Sequence, residues 1–248
     1  MCVKFKGVFA ENTCTKNAKI SINCGGSVIP AYFCIDIIAF LGYNYTVCVT
    51  HCKGDTMEGI TVYSRENPMP QERFSELFEI MEYSFPPTER GSRRLHYREF
   101  ERELFRSLCL AREGLRGGKI AAFMNYYDFG DFIFLEHFAV AQELRDMGMG
   151  SQLMHELMRR EGRPIVLEAE PAAQSGEAER RTEFYKRLGF CVNPFTYYQP
   201  AFSAEYPSIE LALLSYPDPL PEAEFLRIRD ILYVEVYEID PPSDAPEF

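Results

Sequence analysis

The chain has 248 residues, 46% of them apolar, with 20 Phe and 15 Tyr, so it can bury a large core without disulfide or metal staples. Its formal net charge of -11 excludes a general nucleic-acid binder, which needs a basic surface to displace counterions from phosphates. An anionic ligand must therefore be held locally, by a few arginines or by oriented backbone amides.

Composition breaks at Met57. Residues 1–56 hold five Lys, no Arg and six of the eight Cys, whereas residues 57–248 hold two Lys and nineteen Arg. Three readings of this Cys-rich leader stay open: upstream sequence that is not part of the native folded protein, a marginal hydrophobic anchor, or a small subdomain. The cysteine spacings match no zinc signature. The run VIPAYFCIDIIAFLGYNYTVCV is broken by Pro30, Asp36 and Asn44, which weakens it as a membrane span. No chemistry is assigned to this part.

After Met57, GITVYS reads as a first strand. Asn67-Pro68 signals a helix start, and Phe74, Leu77, Phe78 and Met81 recur at helical spacing until Pro86-Pro87. A polar loop, TERGSRR, leads to a second expected helix with Tyr97, Phe100, Leu104, Leu108 and Ala111 on one stripe. Residues 119–127 and 131–140 read as a hairpin turning at DFGD. That triplet also occurs as a kinase metal-binding motif, but no glycine-rich loop or HRD accompanies it here, so a turn is the reading.

RDMGMG (145–150) follows, then a helix with Leu153, Met154, Leu157 and Met158 on its apolar face, stopped by Gly162 and Pro164. A strand at 164–170, a helix at 177–188, short FCVNPF, a strand at 208–216 and a helix at 221–237 complete the order. Alternating strands and helices imply an α/β fold around a mixed sheet.

RDMGMG thus sits between a strand and the first turn of a helix. Amides there lack intrahelical partners and point along the axis, making an anion site. Glycine at 148 and 150 removes Cβ atoms that would hold a diphosphate off those amides. Arg145 can start the turn and lend its side chain. No G-x-G-x-x-G follows a strand, and no P-loop is present.

FLEHFAVAQELRDMGMG, VLEAE and EFYKRLGF, in that order, resemble the GNAT superfamily of acyl-CoA-dependent N-acetyltransferases, in particular bacterial stand-alone members with an extended C-terminus. The resemblance covers roughly residues 57–200, with 201–248 as a strand and helix packed on the same domain. It implies the GNAT fold with splayed central strands, and acetyl-CoA as cosubstrate. Its pyrophosphate would rest on the amides from Met147 through Gly148, Met149 and Gly150 to Ser151. Its pantetheine arm would pair with the strand end Phe138-Ala139-Val140, opposite Val166-Leu167-Glu168. Many relatives carry Asn where this chain has Ala178, and the PAAQSGE loop is longer than usual, so detailed cofactor contacts are expected to differ.

Acetyl transfer needs a neutral amine. Deprotonating a lysine-like amine at pH 7 costs roughly 4.6 kcal/mol, against about 1.1 kcal/mol for an α-amine. Glu168, where some N-terminal acetyltransferases of the family carry a glutamate, is the first candidate base and Glu136 the second. Tyr185, in EFYKRLGF, stands where the family places an acid that hydrogen-bonds and protonates the departing CoA thiolate. Strand alternation sends His137 to the face opposite Glu136, as a structural histidine. No clustered Cys/His pattern follows Met57, so no metal is implied.

Acceptor selection is expected from TERGSRR, Tyr126, Tyr127 and FTYYQPAFSAEY, the last as a lid or a contact between two copies. The acceptor is expected to be a small-molecule or peptide amine, with neither nucleic acid nor membrane as partner, in a cytoplasmic protein. A module that binds acyl-CoA without turnover is the rival reading.

Overall fold

The computed structural model describes Ser21–Cys24, Ser27–Pro30 and residues 58–111, 113–201 and 207–240. The chain divides into two units, Met1–Thr56 and Met57–Phe248. In the first, β1 (Ser21–Cys24) and β2 (Ser27–Pro30) pair antiparallel. Five of the leader's cysteines, and its apolar run from residue 31 onward, lie outside the described residues. Among the described residues no helix is long and apolar enough to cross a membrane.

The second unit is a mixed α/β sheet with helices on both faces. Its strands are β3 (Ile60–Ser64), β4 (Phe105–Ala111), β5 (Ile120–Asp128), β6 (Ile133–Val140), β7 (Ile165–Ala169), β8 (Cys191–Val192), β9 (Tyr197–Gln199) and β10 (Ile209–Tyr216). They lie in the order β3-β4-β5-β6-β7-β10-β8, with β9 beside β10. The helices are α1 (Gln71–Ser84), α2 (Pro87–Arg90), α3 (Arg93–Glu99), α4 (Met149–Glu161), α5 (Gly176–Arg187) and α6 (Glu222–Glu235). Helices α1 and α6 cover one face through Phe74, Leu77, Phe78, Phe225, Ile228 and Leu232. Helices α4 and α5 cover the other through Leu153, Met154, Leu157 and Tyr185.

Two expectations fail here. The first helix begins at Gln71 rather than beside Asn67, because Asn67 closes a turn: its Nδ2 donates to the Val62 carbonyl, and its backbone N–H donates to Ser64 Oγ. Residues 105–111 form a strand, not a helix. FRSLCLA is buried along both faces between β3 and β5, and a strand covered on both sides loses the alternation that separates it from a short helical run.

The site depends on how β6 meets its neighbours. It pairs with β7 in parallel only over Ile133, Phe134 and Leu135, opposite Ile165, Val166 and Leu167. Beyond that point the two strands part. On its other edge β6 carries a bulge: Leu135 opposes Tyr126 and His137 opposes Asn125, which leaves Glu136 unmatched. The bulge reverses the alternation. Ile133 and Leu135 face the α4/α5 side before it, and Phe138 and Val140 face that side after it. Phe134 and Ala139 face the α1/α6 side.

Candidate active site

Because of that reversal, Glu136 and His137 both point to the α1/α6 face, which corrects the expectation that they diverge. His137 Nδ1 lies 3.3 Å from Glu136 Oε2. The contact is within ion-pair range but misses hydrogen-bond geometry, and neither Glu136 oxygen has a hydrogen-bond partner. His137 Nε2 donates to the Glu89 carbonyl at 3.1 Å. The His137 ring packs edge-on against His96, centroids 5.1 Å apart. His96 in turn donates from Nδ1 to Glu99 at 2.7 Å and from Nε2 to the Arg90 carbonyl. Burial alone would lower the His96 pKa, but Glu99 reverses this and pushes it up to about 9, so His96 is a cation at neutral pH. Burial likewise opposes charge on Glu136, yet His137 first and then His96 and Arg102 outweigh it and hold its carboxyl below the usual range.

Glu168 sits on β7 just past the point of parting, in alternation with Val166 and so on the same face as Glu136. Its carboxylate accepts hydrogen bonds from the hydroxyls of Tyr197 on β9 and Tyr237 after α6, the latter at 2.9 and 2.7 Å to its two oxygens. Burial raises its pKa and the nearby Glu136 adds to the rise. The two tyrosines, which favour the charged form, limit it to about 7. Two carboxylates on neighbouring strands are thus pushed apart, Glu136 into a fixed charge and Glu168 to the edge of neutrality.

A cavity of about 600 Å³ runs through the gap between β6 and β7, lined on one side by Phe85, Glu89, Glu136, Glu168, Gln199 and Tyr237. On the other side it is lined by Phe138, Gly148, Gly150, Ser151, Phe184 and Tyr185. The β6 backbone at Phe138-Ala139-Val140 is paired on its β5 edge only, so its other edge faces the gap.

Residues 145–151 wrap one end of the cavity. Gly148 caps α4 with φ 75°, a left-handed conformation that only glycine adopts without strain, and turns the amides of Met149, Gly150 and Ser151 outward. Gly150 has a different reason from the one its spacing suggests. A Cβ there would lie 3.2 Å from Phe138 and 3.5 Å from Phe184, so this glycine lets two rings pack on α4. Met147 is exposed and lies outside the lining, and Met149 lines the cavity with its side chain largely buried in the core. Arg145 reaches back to Ser84 Oγ at 3.1 Å and the Val140 carbonyl at 3.3 Å, tying the loop to α1 and β6.

Tyr185 lies on α5, 7% exposed between Phe184 and Phe190, and burial pushes its pKa up to about 12. Ala178 is buried, its N–H capped by Ser175 Oγ at 3.0 Å. Tyr126 and Tyr127 do not line the cavity. The Tyr126 hydroxyl donates to Glu161 at 2.9 Å, and Tyr127 is buried against Phe105 and Phe134. Of the segments expected to select the acceptor, TERGSRR brings Glu89 and FTYYQPAFSAEY brings Gln199 to the lining, whereas Tyr237, and His96 behind His137, carry no local motif that sequence reasoning could use.

A family model described as an acetyltransferase (GNAT) domain matches residues 106–192. A Bacteroides thetaiotaomicron protein, provisionally named an acetyltransferase of that family, has a solved structure that is 26% identical. It covers 73% of this chain and 99% of its own, with a TM-score of 0.65. The chain carries a GNAT-family domain. The Bacillus subtilis protein YjbC, also provisionally named an acetyltransferase, is 33% identical over 68 residues, 27% of this chain. The match spans only 35% of that relative's length. Arabidopsis thaliana NAA60, solved in complex with acetyl-CoA, is 13% identical over 63% of this chain and 97% of its own, with a TM-score of 0.48. The RDMGMG loop, the parting of β6 from β7 and Tyr185 all fall inside this GNAT domain.

Proposed function

We propose that this GNAT domain moves an acetyl group from acetyl-CoA to an amine by direct attack in a ternary complex. The observation that carries the reading is Glu168, a buried carboxylate with its pKa near 7 beside the gap, across the sheet from Tyr185. The pyrophosphate rests on the amides of residues 147–151, and the thioester arm enters along Phe138-Ala139-Val140 from the α4/α5 face. The amine approaches from the opposite face.

Its nitrogen attacks the thioester carbon as Glu168 takes a proton from it. The C–N bond forms, the C–S bond breaks, and CoA departs as thiolate. Tyr185 acts on that thiolate as a hydrogen-bond donor. Full transfer from a phenol near pKa 12 to a thiolate near 8.5 is uphill by about 3.5 units, or about 5 kcal/mol, so the thiolate collects its proton from solvent. This replaces the proton transfer that the sequence suggests for Tyr185.

The test measures acetyl-CoA binding by calorimetry, and CoA release against a panel of amines, on the full chain. Micromolar binding and amine-dependent release are expected. Glu168→Gln should lower kcat/KM by at least about a hundredfold, the usual worth of a positioned base, with acetyl-CoA affinity retained. Undiminished turnover in that variant would remove Glu168 from the mechanism, and binding without turnover on any amine would favour a non-catalytic acyl-CoA module.

A further inference from the structure

The acceptor side of the cleft holds more negative charge than one reacting amine uses. Glu136 is a buried carboxylate, its side chain 3% exposed, in the cavity wall; neither of its oxygens has a hydrogen-bond partner, and His137 Nδ1 lies 3.3 Å from one of them. An ionised carboxylate taken from water without hydrogen bonds is costly, and buried charges are ordinarily paired and bonded. Gln199 repeats the pattern: it is 3% exposed, lines the same cavity, and its side-chain Nε2 has no partner. An amide can turn to present either its oxygen or its nitrogen, so Gln199 offers an adaptable polar atom beside the carboxylate.

Glu89 and Glu170 add further carboxylates to the lining. Arg181, the lining cation nearest them, is paired with Glu170 at 3.2 Å. Glu168 is occupied by two tyrosine hydroxyls and, on the reading above, by the reacting amine. Glu136, whose charge His96 and Arg102 favour through space, is left without a hydrogen-bond partner.

We propose that Glu136 receives a second cationic group of the acceptor, which makes the acceptor a small aliphatic diamine. The inference rests on the acetyl-transfer reading for which amine reacts, but not for the binding itself. The reacting amine, neutral when it attacks, lies at Glu168, and the other nitrogen, an ammonium, docks against Glu136, with Gln199 beside it. A cavity of about 600 Å³ shared with a thioester arm suits a ligand of this size.

The experiment uses the full chain with 1,3-diaminopropane, 1,4-diaminobutane and 1,5-diaminopentane against butylamine, which keeps the chain and removes the second charge. Acetyl-CoA turnover gives kcat/KM for each, and thermal shift of the CoA-loaded protein gives binding without chemistry. The best diamine is expected to exceed butylamine by about tenfold or more, the equivalent of about 1.4 kcal/mol. Glu136→Gln should bring that ratio to near one.

Equal use of butylamine and the diamines by the unaltered protein, or an unchanged ratio in Glu136→Gln, overturns the proposal. The comparison on the unaltered protein decides alone if the variant does not fold. If acetyl-CoA binds and no amine is acetylated, the transfer reading falls. Diamine-specific stabilisation of the CoA-loaded protein then upholds the Glu136 site, and its absence overturns it.

Discussion

The two halves of the cleft are built by opposite means. The α4/α5 half offers backbone amides at Met149 to Ser151, an unpaired strand edge at residues 138–140 and the rings of Phe138 and Phe184, alongside Arg145, Asp146, Glu177 and Arg181. The α1/α6 half is made of ionisable side chains, Glu136, Glu168, His137 and His96, braced by tyrosines. Backbone suits a ligand whose diphosphate is constant, because amides cannot titrate and need no neighbours to fix their charge. Side chains suit the chemistry, where proton affinity has to be set by environment. On the proposed function, an acidic protein holds a polyanion on one side of its sheet and a cation on the other.

The contrast breaks most sharply at Gly148. Its left-handed φ strains any side chain, and its place at the mouth of the amide cluster would set a carboxylate against a bound anion. Gly148→Glu is expected to weaken acetyl-CoA binding by at least about a hundredfold, roughly 3 kcal/mol, when titrated calorimetrically. Diamine stabilisation, measured without CoA on this variant and on the unaltered protein, should persist, since the carboxylates lie on the other face. Loss of both, in a sample whose circular dichroism is unchanged, would mean the halves are not independent.

A smaller effect sharpens the boundary between them. Tyr185→Phe removes only the donor to the leaving thiolate and leaves the ring in its place between Phe184 and Phe190. Turnover should fall about ten- to a hundredfold while acetyl-CoA affinity stays within about twofold, the signature of an interaction made only in the transition state. An unchanged kcat would remove Tyr185 from the chemistry.

The same difference explains what could be read from the sequence. RDMGMG is contiguous, and the local logic of a helix start placed it correctly. A packing reason for Gly150 is not legible there, because Phe138 and Phe184 meet it only in three dimensions. The acceptor half left only a partial trace, in TERGSRR and FTYYQPAFSAEY, which supply Glu89, Tyr197 and Gln199 but do not show what they meet. Tyr197 and Tyr237 reach Glu168 from 29 and 69 residues away. The bulge at Glu136 carries no glycine or other marker, so strict alternation sent His137 to the wrong face. Strand β4 was hidden for a related reason: between two partners both of its faces are buried, and its apolar run matched a helical stripe as well as a strand.

The finest test concerns how Glu168 is tuned. The Tyr237 hydroxyl donates to both of its oxygens, which stabilises the ionised form and lowers a pKa that burial alone would carry further up. Tyr237→Phe removes that donor, so the Glu168 pKa must rise. A hydrogen bond to a charged group is worth about 1.5–3 kcal/mol, of which the remaining Tyr197 bond and incoming water recover part, leaving a shift of about one unit. If Glu168 is the base, kcat/KM in the unaltered protein rises through a limb near pH 7, because the proton must leave before the residue can accept one from the amine. In Tyr237→Phe the limb should move to about pH 8, costing roughly fivefold in rate at pH 7 and little at pH 9. Glu168→Gln should lack the limb altogether. A limb that stays in place when Tyr237 is changed but vanishes with Glu168 would assign the base correctly and deny the tyrosine its tuning role. A limb that survives in Glu168→Gln would belong to the acceptor amine instead.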